Sequence, residues 1–351
     1  MKILQMVDVP WDSGLAHYAL VLSQGLKKKG HEVFVSAIPG EKPWHKAHRL
    51  GLKTVPLVTL KGLGPLRRFL REHKIDLINA HTGKMHSLAV AAALGQKIAV
   101  VRTRSDARAI KRRPGSRFIY KHTQRVIAAA DYIRDSFIKE LKLPPKKVTT
   151  IYQGIEIPDD SVKPFPKYPV MGIVARLDPV KGHRFMLEAL PFIVASYPSV
   201  RLRIIGQEEN IKTRQLYAIA ARLRMVSHID FVGYQADVAK AMGECTIGVI
   251  PSIGSEAVSR VAVEWMVSGR PVVASKVGCL PEIVQEGVTG LLVPPKDAPT
   301  LAAAVAKILH EPAKAAAMGQ KAHTKAEERF SMESFIDMTL DVYRAAVGEL
   351  V

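Results

Sequence analysis

The 351-residue chain is 48% hydrophobic and 24% charged, which excludes a disordered or fibrous protein and suits two globular domains. Its two cysteines, Cys245 and Cys279, form no CxxC pair and have no histidine nearby at metal-ligand spacing, so neither a disulfide framework nor a zinc site is expected and a cytoplasmic setting is. The formal net charge of +19 is uneven, with 30 Lys+Arg against 13 Asp+Glu in residues 1–165 and 21 against 19 thereafter, so an anionic partner is expected for the first half.

In chain order, Lys2 to Val7 is a short apolar run that reads as a strand. The opening MKILQMVDVPWD is too short and too soon acidic for a secretion signal, and no later stretch reaches the ~18 uninterrupted apolar residues of a membrane span. A turn through Asp12, Ser13 and Gly14 leads to a helix with Ala16, Ala19, Leu20 and Leu26 on one face, closed by Gly30 before a strand from Glu32 to Ile38. This is a β-α-β unit. A helix around Leu66, Phe69 and Leu70 precedes a strand Leu77 to Ala80, and a helix Met85 to Leu94 precedes a strand Ile98 to Val101.

Residues 156–169, EIPDDSVKPFPKYP, hold four prolines and read as the linker between domains 1–165 and 166–331. A second series of strands follows at Val170 to Ala175, Arg201 to Ile205, His228 to Val232, Thr246 to Ile250 and Pro271 to Ala274. After Ala298 the chain reads as helix to its end, with a last segment, Met332 to Val347, apolar at Phe335, Met338, Val342 and Val347. The fold class is therefore α/β, as two Rossmann-like doubly wound domains with the carboxyl ends of their strands facing a central cleft.

The residues able to carry chemistry fall at those strand ends. Glu256 and Glu264 stand eight positions apart, the second within an apolar helical run holding Val261, Ala262, Val263, Trp265 and Met266. Two such acids on a solvated face are common, but a carboxylate on a buried helix needs a partner or a ligand. Between them, the backbone N–H groups of Ser259 and Arg260 open a helix and suit a phosphate.

Arg176 and Lys181, in ARLDPVKG directly after a strand, are two cations that can neutralise a diphosphate, or two ordinary exposed basic residues. Gly14, after the first strand, and Gly206 and Tyr234, in later loops of the second domain, complete the strand-end set. There is no GxGxxG, and a single glycine in such a turn is often only a turn. His81 follows the strand DLINA and is either a structural histidine or one that meets a ligand in the cleft. His86 falls within the next helix and is the weaker candidate. In the run VRTRSDARAIKRRPGSRF, Arg102 and Arg104 alternate at a strand end and could aim at a phosphate, with Lys84 nearby, although a basic run is commonly a solvated face. Few aromatic residues interleave with it, which disfavours nucleic acid.

Three blocks carry a resemblance: SGLAHYALVLSQGLKKKGHEV, ARLDPVKG, and SEAVSRVAVEWMVSGRPVVASKVGCLPEIVQEGVTGLLVPP. With these the chain resembles the family-4-type retaining glycosyltransferases of the GT-B fold, collinearly over nearly its whole length. The resemblance implies that Arg176 and Lys181 bind the donor diphosphate, that the amides of Ser259, Arg260 and Val261 hold its phosphates with Gly14 approaching from the other domain, and that Glu264 binds the ribose. It implies that Glu256 contacts the transferred sugar, that His81 lies over that sugar, that Tyr234 touches the base, and that the final helix, 332–351, packs back on the first domain. Where the family often has Glu-Gly-Phe-Gly, this chain has Glu256, Ala257, Val258 and Ser259, and Gly206 opens a degraded glycine-rich turn, GQEEN.

The implied activity is metal-independent transfer, with no cofactor, from a nucleotide diphosphate sugar, UDP-sugar favoured, to an anionic glycolipid or phosphorylated sugar such as a lipopolysaccharide core intermediate. Peripheral contact with the inner face of an anionic membrane would accompany it. The alternatives are a GT-B epimerase, a nucleotide-sugar-binding protein without transfer, and a nucleic-acid binder.

Overall fold

The computed structural model describes residues 1–56, 62–254 and 256–350 and divides into two compact units. Unit 1, residues 1–154 and 332–351, is built on a parallel sheet of β1 (Lys2–Met6), β2 (Glu32–Ala37), β3 (Lys53–Pro56), β4 (Leu77–Ala80), β5 (Ala99–Arg104), β6 (Arg125–Ala128) and β7 (Val148–Thr150), in the order β3-β2-β1-β4-β5-β6-β7. Helices α1 (Gly14–Lys28), α2 (Lys42–Arg49), α3 (Leu63–Glu72), α4 (Gly83–Ala93), α5 (Ser116–Lys121) and α6 (Asp131–Leu141) connect the strands. Strands such as LINA of β4 are buried throughout, the pattern of a parallel sheet covered on both faces.

Unit 2, residues 155–331, repeats the design with β8 (Val170–Val174), α7 (His183–Ser196), β9 (Arg201–Ile205), α8 (Thr213–Arg222), β10 (Ile229–Gly233), α9 (Val238–Gly243), β11 (Ile247–Ile250), α10 (Arg260–Val267), β12 (Val272–Ser275), α11 (Leu280–Ile283), β13 (Gly290–Val293), α12 (Ala298–His310) and α13 (Pro312–Phe330). Its sheet order is β10-β9-β8-β11-β12-β13, parallel in every pairing. In both sheets the order reverses direction beside the first strand, between β1 and β4 and between β8 and β11. Such switch points open the crevice where ligands bind in doubly wound folds.

The last helix, α14 (Met332–Gly348), belongs to unit 1 and packs on α1, β5 and β6. Phe335, Ile336, Leu340, Val342 and Tyr343 form its buried face, whereas Met338, expected on that face, is exposed. The units meet in sequence at Gly154/Ile155 and not at 165/166. The physical reason is that the proline-rich segment is pinned to unit 2: the Ile155 N–H donates to the Phe330 carbonyl at 2.8 Å, and the Arg270 guanidinium lies 4.8 Å from the centre of the Phe165 ring and donates to the Pro164 carbonyl. Among the described residues no helix is long and apolar enough to cross a membrane.

Candidate functional site

At the β8/β11 switch point, two loops are locked together. Asp178 caps the 3-10 turn Pro179–Lys181, accepting from the Val180 N–H at 2.9 Å and from Asn210 at 2.6 Å. Burial alone would raise the Asp178 carboxyl, but these hydrogen bonds and the charges of Arg176 and Lys181 outweigh it and hold it below its ordinary value. The turn then docks on the loop after β11, where the Ile253 N–H donates to the Val180 carbonyl at 2.9 Å. Gly182 makes that contact possible, since its φ is +71° and a Cβ there would overlap the Pro251 carbonyl oxygen.

The docking places Lys181 Nζ 2.6 Å from Glu256 Oε1, the same oxygen that accepts from the Ser252 hydroxyl at 2.7 Å. Glu256 is 2% exposed. A buried carboxylate this well paired acts as the seat of Lys181, a contact not expected from the sequence. Its backbone is engaged as well, because Glu256 carbonyl accepts from the Cys279 N–H at 2.8 Å and Gly278 (φ +54°) leaves no room there for a Cβ. Arg176 sits on the same sheet edge, half-exposed, between Asp178 (3.5 Å) and Glu209 (3.7 Å).

Beyond Glu256 the chain enters α10 through Ser259, which has φ 39° and ψ 55°. This left-handed conformation costs a residue with a side chain roughly 1–2 kcal/mol, which explains why glycine is common there in the resembling family. The Ser259 side chain makes no capping hydrogen bond and its hydroxyl is buried without a partner among the described residues. Helix-start N–H groups such as that of Val261 have no carbonyl in the helical ladder and can receive an anion. One turn on, Glu264 Oε1 accepts from Arg260 at 2.9 Å, and burial raises its carboxyl against the opposing Arg260 charge. Trp265, fully buried, holds α10 on the sheet by lying against Gly172 and Gly248, where a Cβ would meet its ring.

Gly206 and Tyr234 also lie at the carboxyl edge of this sheet. A Cβ on Gly206 would overlap the Ala175 carbonyl, so the glycine serves the close passage of the β9 end beside the β8 end. The acids of GQEEN are engaged locally: Glu208 accepts from the Thr213 N–H at 2.8 Å, and Glu209 faces Arg176. Tyr234, after the edge strand β10, is 70% exposed.

In unit 1, the β1/β4 switch point holds His81. Its ring is fully buried. Nε2 lies 2.8 Å from Gln5 Oε1 and 3.3 Å from Asn79 Nδ2, while Nδ1 has no partner among the described residues. Burial first, then the Arg102 charge, lowers its pKa to about 3, so the ring is neutral near pH 7. Gly14 starts α1, exposed, with open space around it, and Ser13 caps the helix by accepting from the Ala16 N–H at 3.2 Å. His86 is buried against the Thr123 hydroxyl at 2.7 Å, inside α4 as expected.

Two of the three proposed acceptor contacts differ from expectation. Arg102 is 3% exposed, and its guanidinium donates to the carbonyls of Ala80 (2.8 Å) and Thr103. The reason is that β5 runs on to Arg104, which puts Arg102 inside the sheet in register with Ala80 and Val126 and not at its end. Arg104 is largely covered, paired with Asp106 at 3.1 Å and donating to the Arg108 carbonyl. Lys84 is exposed on the first turn of α4. The exposed cations of that region are Arg108, Lys111, Arg112, Arg113, Arg117 and Lys121.

Asp178, Ser252, Asn210, Gly182 and Gly278 were not expected from the sequence. Asp178-Pro179 is a readable helix-start signal, but the pairing of Lys181 with Glu256 spans 75 residues and leaves no local pattern.

Residues 13–157 match the family model described as glycosyltransferase family 4, and residues 168–311 match that described as glycosyl transferases group 1. The chain is 28% identical over 330 residues to a phosphatidyl-myo-inositol mannosyltransferase of Mycolicibacterium smegmatis, covering 87% of this chain and 82% of the relative. It is 31% identical over 217 residues to a D-inositol 3-phosphate glycosyltransferase of Segniliparus rotundus, a stretch covering 58% of this chain and 48% of the relative's length. Among solved structures, Anabaena HepE in complex with UDP superposes with a TM-score of 0.85 at 21% identity, covering 98% of this chain and all of that one (100%).

Proposed function

The chain belongs to the family 4 glycosyltransferases of the GT-B fold, and on that premise we propose that it moves a sugar from a nucleotide diphosphate donor to a hydroxyl of an anionic acceptor, with retention of configuration and without a metal. The observation that carries this reading is the Lys181–Glu256–Ser252 cluster at the β8/β11 switch point, beside the start of α10. Lys181 supplies a fixed positive charge where a leaving diphosphate gathers negative charge, the task a divalent cation would otherwise perform. Arg176 adds a forked donor from the same edge, and the amides at Ser259, Arg260 and Val261 complete the cradle.

Glu264 accepts the ribose hydroxyls, and Tyr234 lies against the base. UDP is the favoured nucleotide, with the UDP-bound HepE fold as support. In unit 1, the neutral His81 ring is assigned as a hydrogen-bond partner for a sugar hydroxyl, and Gly14 as a close backbone approach at the start of α1. The departing phosphate itself helps to take the acceptor proton, so that no side-chain nucleophile is needed.

Two observations favour an anionic acceptor. The names of the relatives carry phosphorylated inositols, and unit 1 holds 30 Lys+Arg against 14 Asp+Glu, a net +16 of the +19 total. A lipopolysaccharide core intermediate or another envelope glycolipid at the inner face of the cytoplasmic membrane fits this chemistry. The acceptor contacts are assigned to Lys84 and the exposed cations around it, with Arg102 and Arg104 shaping the strand end behind them.

Incubation with a panel of UDP- and GDP-sugars, with and without phosphorylated acceptors, followed by mass spectrometry, tests the reading. An acceptor product is expected; donor isomerised without acceptor would replace transfer by epimerisation. Acceptor KM should rise several-fold between low salt and 0.3 M salt, because exposed charges are screened beyond about 10 Å at ~0.1 M. An acceptor KM independent of salt would remove the charge argument. Glu264→Gln should weaken donor binding by roughly 1–2 kcal/mol, the loss of a charged hydrogen-bond acceptor. Since burial raises the Glu264 carboxyl, wild-type donor affinity should fall on acidification, starting at a higher pH than an ordinary glutamate would give. Titration calorimetry across pH reads both effects, and a flat profile argues against the ribose contact.

A further inference from the structure

Trp11 stands in the loop between β1 and α1, at the carboxyl end of a strand that borders the β1/β4 switch point. Of the three tryptophans, Trp265 is fully buried and Trp44 packs against the cluster of Leu20, Val35, Ala37, Ala47 and Leu52, whereas Trp11 is 61% exposed. Single apolar side chains on a surface are ordinary, but this one is held outward by the chain on either side of it. Val9 packs against the cluster of Val7, Leu15, Ala16 and Ala19. Asp12 binds Lys46 of α2, whose ammonium lies 3.3 Å from each carboxylate oxygen, and the Ser13 hydroxyl caps α1. The residues around it are thus tied to the body of unit 1, and the indole between them is turned to solvent. Gly14, with nothing within 4 Å of where a Cβ would stand, leaves open space at the start of α1. Lys84, on the first turn of α4, follows β4, the parallel neighbour of β1, and so lies at the same sheet edge.

We propose that Trp11 is the platform on which a sugar or cyclitol ring of the acceptor stacks, with Asp12 accepting from the ring hydroxyls and Lys84 facing its phosphate. Such a ring carries hydroxyls around its rim and weakly positive C–H groups on its face, and the face of an indole is negative. Asp12 keeps acceptor capacity beside its bond to Lys46, since each carboxylate oxygen has two lone pairs. A tryptophan also suits the headgroup level of a membrane, but Asp8 and Asp12 stand on either side of this one, two acids that suit hydroxyl donors and repel an anionic lipid surface. The inference rests on the reading of the protein as a transferase whose acceptor is taken by unit 1. It adds the chemistry of that acceptor: recognition of a ring, and not of phosphate charge alone.

Indole N–H NMR of isotope-labelled protein reads the contact without turnover, because the signal of Trp11 is identified by its loss in Trp11→Phe. Inositol phosphate, glucose phosphate and N-acetylglucosamine phosphate are titrated in turn, with inorganic phosphate as the ringless control. At least one ring phosphate should move the Trp11 signal saturably, with the protons of the bound ring shifted upfield by the indole, while inorganic phosphate leaves that signal in place. In the transferase assay Trp11→Ala should raise acceptor KM about 10-fold while donor KM moves less than about two-fold. Trp11→Tyr, which keeps a flat aromatic face, should recover most of that loss. Both variants should unfold at the wild-type midpoint, since the side chain is exposed. A Trp11 signal that no ring phosphate moves, or that inorganic phosphate moves equally, overturns the proposal. In that case weaker binding of Trp11→Ala to vesicles of phosphatidylcholine and phosphatidylglycerol would give the loop to a membrane surface instead. Absence of transfer with every donor would sink the functional reading, and the NMR result would still decide whether Trp11 holds a ring.

Discussion

Lys181→Ala is expected to lower kcat by about 10²- to 10³-fold, the ~3–4 kcal/mol that follows loss of one preorganised charge facing a developing anion. The side chain is only 19% exposed and its ammonium is fixed at 2.6 Å by Glu256, so water screens it poorly and its position costs little reorganisation when the diphosphate departs. Arg176→Ala should follow in the same direction with a smaller effect, since that side chain is 46% exposed and shared between Asp178 and Glu209. Turnover near wild type in both variants would remove diphosphate stabilisation from these residues. The Lys181 change also leaves Glu256 buried without its cation, so part of the loss is structural. Comparing single-turnover rates at saturating donor with the thermal stability of each variant separates the two contributions.

How the site was legible in the sequence depended on the distance over which each contact is made. Strands such as Leu77–Ala80 and Arg201–Ile205 match their expected limits because an apolar run bounded by turn residues is a local property. The strands β3, β6, β7 and β13 were not anticipated; β3 (KTVP) and β7 (VTT) hold a single valine each, so no apolar run marks them, and β3 ends in a proline. Arg102 shows how a small boundary error changes a functional expectation: three more residues of strand move a guanidinium from a strand end into the sheet, where burial lowers its pKa to about 10.

Arg176, Lys181, Gly206, Tyr234 and Glu256 lie at one sheet edge, as the strand ends implied. The contact of Glu256 with Lys181 and Ser252 was not expected, because it forms only once the two loops dock. Gln5 and Asn79 leave a fainter trace, two amides inside apolar strands. Only the return of α14 to unit 1 gives that trace a meaning, since the Tyr343 hydroxyl lies 3.2 Å and 2.7 Å from their side-chain nitrogens.

The docking of those loops makes Gly182→Ala the substitution with the largest expected effect on both stability and activity. A methyl group there meets a backbone carbonyl, Pro251 C=O, which cannot rotate away as a side-chain tip could. The residue would also have to keep φ at +71°, adding roughly 1 kcal/mol of backbone strain to about 1–3 kcal/mol of overpacking. The loops can escape only by separating, which breaks the Ile253 N–H to Val180 carbonyl bond and withdraws Lys181 from Glu256. A total of roughly 2–4 kcal/mol should therefore appear as a lowered unfolding midpoint, accompanied by a kcat close to that of Lys181→Ala even where the protein remains folded. Gly30→Ala is the control, since Gly30 has a similar φ of +83° but nothing within 4 Å of its missing Cβ; it should cost only the strain and leave kcat intact. Equal effects of the two alanines on kcat would mean that loop docking does not position Lys181.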